Sequence, residues 1–192
     1  MKNDKKIILA STSPRRKAVL ERMGLKFDVC PSNFEEKLET NKFTYEAIEN
    51  LALGKAKDVK EKFKNEKDVL IISADTVVVL EDEILCKPKD KKHAYLMLKS
   101  LSGKTHFVVT CICVLKSDSD DVNILPTTTY VTFNQLTDEM INDYIEKFKP
   151  LDKAGAYGIQ ELPEGFVSSF EGDMENVIGL SSKSLTTLLN QC

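Results

Sequence analysis

Val69-Leu70-Ile71-Ile72-Ser73-Ala74-Asp75-Thr76-Val77-Val78-Val79-Leu80 is an apolar run interrupted only by Ser73, Asp75 and Thr76. Apolar side chains at successive positions leave neither face for water, so the run reads as a strand buried on both faces, with helices to cover it. Glu81-Asp82-Glu83 then turns the chain back through Ile84-Leu85-Cys86.

Upstream of this strand the pattern gives an apolar strand over 6–10 and a helix over 14–23 that ends at Gly24. A short strand over 26–30 is closed by Pro31, and a polar, acid-rich loop follows. Thr44 caps a helix that runs to about 63, with Ala47, Ile48, Leu51, Ala52 and Ala56 as its apolar stripe. Downstream, Asp90 caps a helix to about 101, stopped by Ser102-Gly103. Two long strands follow near 105–115 and 122–134, joined by Ser117-Asp118-Ser119-Asp120-Asp121. Thr137 caps a helix that stops before Pro150. The tail is expected to hold a glycine-rich loop, two short strands and a last helix from about 181. Helices and strands alternate early and antiparallel pairs come late, so the chain is α/β with a mixed sheet. Its 192 residues suit one domain over 1–192, with room for two lobes around a cleft.

Composition narrows the function classes. Lys and Arg number 27 against 30 Asp and Glu, a net charge of −3. A general polyanion binder would be basic and would carry stacking aromatics in a stripe, so nucleic acid is not an expected partner. The apolar stretch near the N-terminus is too short for a signal peptide, and no run approaches the ~18 apolar residues of a membrane span. No membrane partner is expected, and the cytoplasm is the expected compartment. The five cysteines, Cys30, Cys86, Cys111, Cys113 and Cys192, are odd in number and form no C-x-x-C pair, so all read as reduced thiols. Cys111 and Cys113 alternate within a strand and read as core.

The chemistry concentrates in a few places. In Ser11-Thr12-Ser13-Pro14-Arg15-Arg16-Lys17 an apolar strand runs into a serine cap, a proline at the first helical position and three cations. Cations there oppose the helix dipole, by about 0.3–1 kcal/mol each when exposed. Unpaired helical N–H groups, hydroxyls and two guanidiniums together form a site for an anion, most naturally phosphate. A solvated basic helix start is the plainer alternative.

Asp75 is a charge inside an apolar strand, which is costly unless it is paired or metal-bound. Local backbone N–H groups would satisfy a purely structural aspartate. A functional one would be presented at a break in the sheet, as metal ligand or as base for water, with Thr76 offering another oxygen. Glu35 and Glu36 sit in a loop where acids are ordinarily solvated. Glu36 acquires a role if the fold brings it to Asp75, because two carboxylates suffice for a magnesium-type ion. Lys87, before Pro88, and Lys55, between Gly54 and Ala56, are ordinarily surface lysines. The small neighbours of Lys55 would let another element approach closely. In the loop 151–160, glycines would let backbone approach a ligand while Tyr157 and Gln160 stack on or hydrogen-bond a base; a buried turn with a packed tyrosine is the equal alternative.

Taken in order, these stretches resemble the Maf-like nucleotide pyrophosphatases. The resemblance rests on Ser11-Thr12-Ser13-Pro14-Arg15-Arg16, Phe34-Glu35-Glu36, Ala74-Asp75-Thr76, Lys87-Pro88, Leu101-Ser102-Gly103-Lys104-Thr105-His106, and the run from Asp152 to Gln160. It spans residues 7 to about 180. It implies an elongated mixed sheet with flanking helices around a central cleft, like that of the inosine triphosphate pyrophosphatases. It also implies hydrolysis of a nucleoside triphosphate between the α- and β-phosphates with a divalent cation, Mg2+ or Mn2+, by a homodimer. By motif position, Ser11, Ser13, Arg15, Arg16, Lys55 and Lys87 would hold phosphates. Glu36 and Asp75 would serve the metal and the attacking water, with Asp75 the base. Lys87 stands with these two acids as a catalytic candidate. Arg16, Thr76 and Gln160 look like the branch acting on dTTP and UTP, with modified pyrimidine nucleotides as further candidates, rather than the branch acting on 7-methyl-GTP. One departure stands out: the family follows its Tyr-Gly-Ile-Gln with a small, glycine-rich run, whereas here the chain reads Glu161-Leu162-Pro163-Glu164-Gly165. An extra acid at that point bears on which bases are accepted.

The competing class is a nucleotide-binding regulator with little turnover, since members of this family are linked to arrest of septum formation. Binding alone needs cations but not acids. The presence of Glu36, Asp75 and Lys87 together therefore favours an enzyme.

Overall fold

The computed structural model describes residues 5–38 and 40–192. In chain order the elements are β1 (Lys6–Leu9), α1 (Pro14–Arg22), β2 (Asp28–Val29), α2 (Tyr45–Lys62), β3 (Val69–Leu80), β4 (Glu83–Leu85), α3 (Lys91–Leu101), β5 (Thr105–Lys116), β6 (Val122–Phe133), α4 (Asp138–Phe148), β7 (Val167–Glu171), α5 (Met174–Ile178) and α6 (Ser182–Leu189). They build one seven-stranded mixed sheet in the order β2-β1-β3-β5-β6-β7, with β4 also on β3.

The apolar run is the central strand. On one side β3 pairs antiparallel with β5 in unbroken register, from Leu70↔Lys116 to Val79↔Phe107. On the other it pairs with two short strands in succession: parallel β1 from Lys6↔Val69 to Leu9↔Ile72, then antiparallel β4 from Val78↔Leu85 to Leu80↔Glu83. Among the described residues, positions 73–77 have no strand partner on that side. The expected break at Asp75 is therefore not in its own strand, which is continuous, but in the neighbouring row. Because β1 runs parallel and β4 antiparallel to β3, both advance toward this gap. Each delivers the residues that follow it, Ala10 onward and Cys86 onward, to the same place.

Both faces of β3 are covered, as the sequence requires. Ile71, Val77 and Val79 pack on Ile48, Ala52 and Ala56 of α2. Leu70, Ile72 and Ala74 meet Val19 and Leu20 of α1 and Leu185 and Leu188 of α6. Val78 and Leu80 join Leu98 of α3 and Ile141 of α4. Alternation along the strand puts Asp75 on the α2 face and Thr76 on the other. Cys111 and Cys113 are buried on the α2 face, and all five cysteines are free thiols. Burial pushes both core thiols up to about 12.

The helix starts follow the predicted caps. Side-chain oxygens of Ser13, Thr44, Asp90, Thr137 and Ser181 each accept the N–H three residues on, at Arg16, Ala47, His93, Met140 and Ser184. The short strand expected over 26–30 is only Asp28–Val29. The tail differs more: in place of two short strands it has β7 and then the single-turn helix α5. Asp173 caps that turn through the Glu175 N–H. Buried Asn176 ties it to the sheet, accepting the Thr110 N–H (3.0 Å) and donating to the Val108 carbonyl (3.0 Å) and Thr129 Oγ1 (3.0 Å). A helix of five residues is too short to show a periodic apolar stripe.

Candidate active site

A cleft of about 420 Å³ opens at the gap beside residues 73–77 of β3. Ser11, Ser13, Arg15, Arg16, Glu36, Lys55, Asp75, Thr76, Lys87 and Gln160, all singled out from sequence, line it. They arrive from six parts of the chain.

The turn after β1 brings the cations. Ser11 Oγ accepts the Ser13 N–H (3.2 Å) and Arg16 Nη1 (3.3 Å), folding the turn back on itself. Arg16 Nη2 donates to Thr76 Oγ1 (3.1 Å) and its Nε to the Gly179 carbonyl (3.0 Å). Thr76 in turn bonds Thr110 Oγ1 (3.0 Å). Arg16 is thus fastened into the wall. Burial lowers its pKa, while Asp75 and Glu36 act in the opposite sense. Arg15 is different: among the described residues its buried Nε has no hydrogen-bond partner. The two neighbouring arginines therefore divide the work. Arg16 joins α1, β3 and the segment after α5, while Arg15 lines the cleft with its Nε unbonded among the described residues.

Facing them is an acid–base–acid cluster. Lys55, only 8 % exposed in the middle of α2, donates to Asp75 Oδ1 and lies 2.8 Å from Glu36 Oε1. Glycine at 54 makes this possible. A Cβ there would come within 2.4 Å of the Phe34 ring, so only the bare backbone lets the Phe34–Glu36 loop lie on the helix. The close approach anticipated beside Lys55 is this loop. Burial lifts the Asp75 carboxyl above the ordinary carboxylate range, although Lys55 and Arg16 pull it back. For Glu36, burial acts upward, but the Lys55 hydrogen bond and the charges of Lys55, Lys87 and Arg16 outweigh it, so its pKa is low. The two acids are thereby shifted in opposite directions. The resemblance gave Lys55 to phosphate; in this structure its ammonium lies between the two carboxylates.

The third wall is the loop after α4. Of its two glycines, Gly158 lines the cleft, whereas Gly155, at φ 65°, packs inward: a Cβ there would be 2.9 Å from Val78, and its N–H donates to the Cys86 carbonyl (3.2 Å). Tyr157 is packed edge-on against Phe133 and His106, and its hydroxyl is 2.7 Å from His106 Nε2. That is the packed-tyrosine alternative, although Tyr157 still borders the cleft. Gln160 is exposed to it. Two residues here escaped the sequence reading. Lys153, nearly buried, bonds Asp152 Oδ1 at 2.8 Å and lies 3.3 Å from Glu161 Oε2. Glycine at 179 lends its carbonyl to Arg16. Neither carries a local signal, since their partners are distant in sequence or unremarkable in type.

His106 supports Tyr157 from below and is 2 % exposed. Burial lowers its pKa from 6.5 to about 4, so it is neutral in the fold. Between these values the unfolded chain binds one more proton than the folded one, and acid favours unfolding. Stability is expected to fall by about 2 kcal/mol from this group between pH 6.5 and pH 5. Denaturant titrations at both pH values check this: His106→Gln should lose that part of the slope, and identical slopes would remove His106 as its source.

The fold is that of the Staphylococcus aureus Ham1 protein, whose structure aligns with a TM-score of 0.53 at 15% identity, covering 97% of this chain and 99% of that one. This defines the class as a mixed α/β sheet with a cleft. The sequence is more specific: the profile of the Maf-like proteins matches residues 6–192, and the chain belongs to that family. Relatives include a dTTP/UTP pyrophosphatase of Clostridium botulinum, 44% identical over 187 residues (97% of this chain, 98% of that one). Another, from Alkaliphilus oremlandii, is 46% identical over 185 residues (96% and 95%). Among the described residues no helix is long and apolar enough to cross a membrane.

Proposed function

We propose that this protein hydrolyses dTTP and UTP between the α- and β-phosphates, releasing the nucleoside monophosphate and pyrophosphate. The observation that carries the reading is the cleft itself, which sets Arg15, with an unused buried donor, in one cleft with the Asp75–Lys55–Glu36 cluster. The dTTP/UTP pyrophosphatase relatives, at 44–46% identity over nearly the whole chain, supply the substrate class.

Arg15, Ser11, Ser13 and Lys87 would hold the polyphosphate, and Arg16 would fix the frame in which they sit. Asp75 would take a proton from a water as that water's oxygen bonds the α-phosphorus. The bond to the β-phosphate bridging oxygen breaks, and its charge develops among the cations. Glu36 and Asp75 are hard oxygen donors on one wall of a cleft built for phosphate. Among the described residues no three His, Cys, Asp or Glu groups converge to enclose a metal. Two carboxylates with waters and substrate phosphates are the set that Mg2+ or Mn2+ accepts, and such an ion would neutralise the departing pyrophosphate.

Product analysis on a panel of nucleoside triphosphates, with and without Mg2+ or Mn2+, tests the reading. The expected result is metal-dependent release of pyrophosphate, fastest from dTTP and UTP. Orthophosphate as product would refute α–β cleavage, and turnover of 7-methyl-GTP alone would keep the reaction and replace the base. Tight binding without turnover would make the protein a nucleotide-responsive regulator.

A further inference from the structure

Glu36 sits in a loop that its own backbone does not hold: among the described residues, positions 31–38 take part in no backbone–backbone hydrogen bond. The grip comes from α2 instead. Asp58 Oδ2 accepts from Ser32 Oγ (3.0 Å) and from the Asn33 N–H (2.8 Å). Ser32 Oγ in turn accepts the Phe34 N–H (3.0 Å), and Lys62 Nζ donates to the Pro31 carbonyl (3.0 Å). Further along, the Phe34 ring lies on Gly54 and Glu36 pairs with Lys55. Positions 54, 58 and 62 are each about one helical turn apart and 55 lies three before 58, so all four act from one face of α2. Asp58 is also 3.8 Å from Lys62, the geometry of an ordinary surface pair. Its larger commitment is to the loop: the Asn33 N–H, ahead of the Ser32 hydroxyl and Lys62, holds the Asp58 carboxyl below its ordinary range.

We propose that Asp58 is a positioning residue for the reaction, holding Ser32 and Asn33 against α2 so that Glu36, three residues on, meets Lys55 in the cleft. This rests on the pyrophosphatase reading above. Lys55 has its own partner in Asp75 and keeps it without Glu36. Glu36 is half-exposed, so its ion pair alone is weak against the entropy of a loop with no backbone bonds. The anchor at residues 32 and 33 leaves only Phe34 and Glu35 between the fixed point and Glu36. Such anchoring matters because a displacement of about 1 Å in a reacting group can cost about 100-fold in rate. What the loop requires of position 58 is an acceptor for two donors, which a carboxylate or an amide oxygen supplies and a methyl group does not.

Kinetics with UTP on wild type, Asp58→Ala and Asp58→Asn, each also combined with Glu36→Gln, test this. Alanine suits the helix at this part-exposed position, so the variants keep their fold. Asp58→Ala should lower kcat by about 10–100-fold, with KM changed only a few-fold. Asp58→Asn loses the charge but keeps the acceptor, and should recover most of the rate. In the Glu36→Gln background Asp58→Ala should cost little more, because the loop then has no carboxylate to position. Additive losses, or an asparagine variant as slow as the alanine one, would overturn the proposal. A second readout needs no turnover. A glutamate-specific protease, cutting after Glu35 or Glu36, should cleave Asp58→Ala about 10-fold faster than wild type and Asp58→Asn at close to the wild-type rate. Equal cleavage of all three overturns the proposal, in an active or an inactive protein alike. Faster cleavage of Asp58→Ala in a protein that releases no pyrophosphate would sink the reaction and leave the loop anchor standing.

Discussion

Asp75→Asn is expected to lower kcat by about 10²–10⁴-fold while KM changes by no more than a few-fold, the signature of a lost general base. The substitution keeps the shape of the side chain and its place on the α2 face, but removes both the proton acceptor and one counter-charge of Lys55. Substrate binding should change little, because the cations on the polyphosphate and Glu36 remain in place. Steady-state kinetics on a variant with an unchanged melting temperature decide the matter. Equal losses of substrate affinity and turnover would mean that Asp75 holds the site together and does not act on water.

Lys55→Met should be the most destabilising change in the cleft, by about 3 kcal/mol, because it leaves two carboxylates facing one another with no cation between them. Its pH dependence has a definite sign. In wild type Lys55 opposes the effect of burial on Asp75. Without it the Asp75 carboxyl rises further, so the folded state binds a proton that the unfolded chain releases in the ordinary carboxylate range. Stability is then present in acid and lost as pH rises through the raised value. The variant should therefore approach wild-type stability toward pH 5 and diverge from it at pH 8, as read by denaturant titration at both. The acid limb of its rate profile should move up as well. A loss of stability independent of pH would show that Lys55 contributes packing of its stem and not charge.

What could be read in advance follows from the range of the interactions involved. The helix starts at Ser13, Thr44, Asp90 and Thr137 were legible because each cap closes within three residues. Asp75 was legible because a charge in an apolar strand is anomalous wherever the strand goes. The link between Asp75 and Lys55 was not, since 20 residues separate them and Lys55 resembles any solvated helix lysine until α2 is laid on β3. Arg15 and Arg16 were indistinguishable for the same reason. Only the placement of Thr76 and Gly179 shows which guanidinium is fastened and which is free. The two glycines of the 151–160 loop could not be told apart, because a bare backbone signals close approach without saying to what: Gly158 borders the cleft, and Gly155 does not. The neighbour of Gly155 is Val78, in the protein's own strand.

The meeting of β1 and β4 at the unpaired stretch of β3 makes the cleft sensitive to chain length more than to composition. Each strand is a ruler that ends at the site, and side chains alternate faces along it. One residue inserted before Ser11 or before Lys87 would turn the delivered groups away from Asp75, even if every side chain were kept. The Ser117–Asp121 turn lies beyond the far end of β5 and measures nothing, so the chain can lengthen there and leave the cleft as it is.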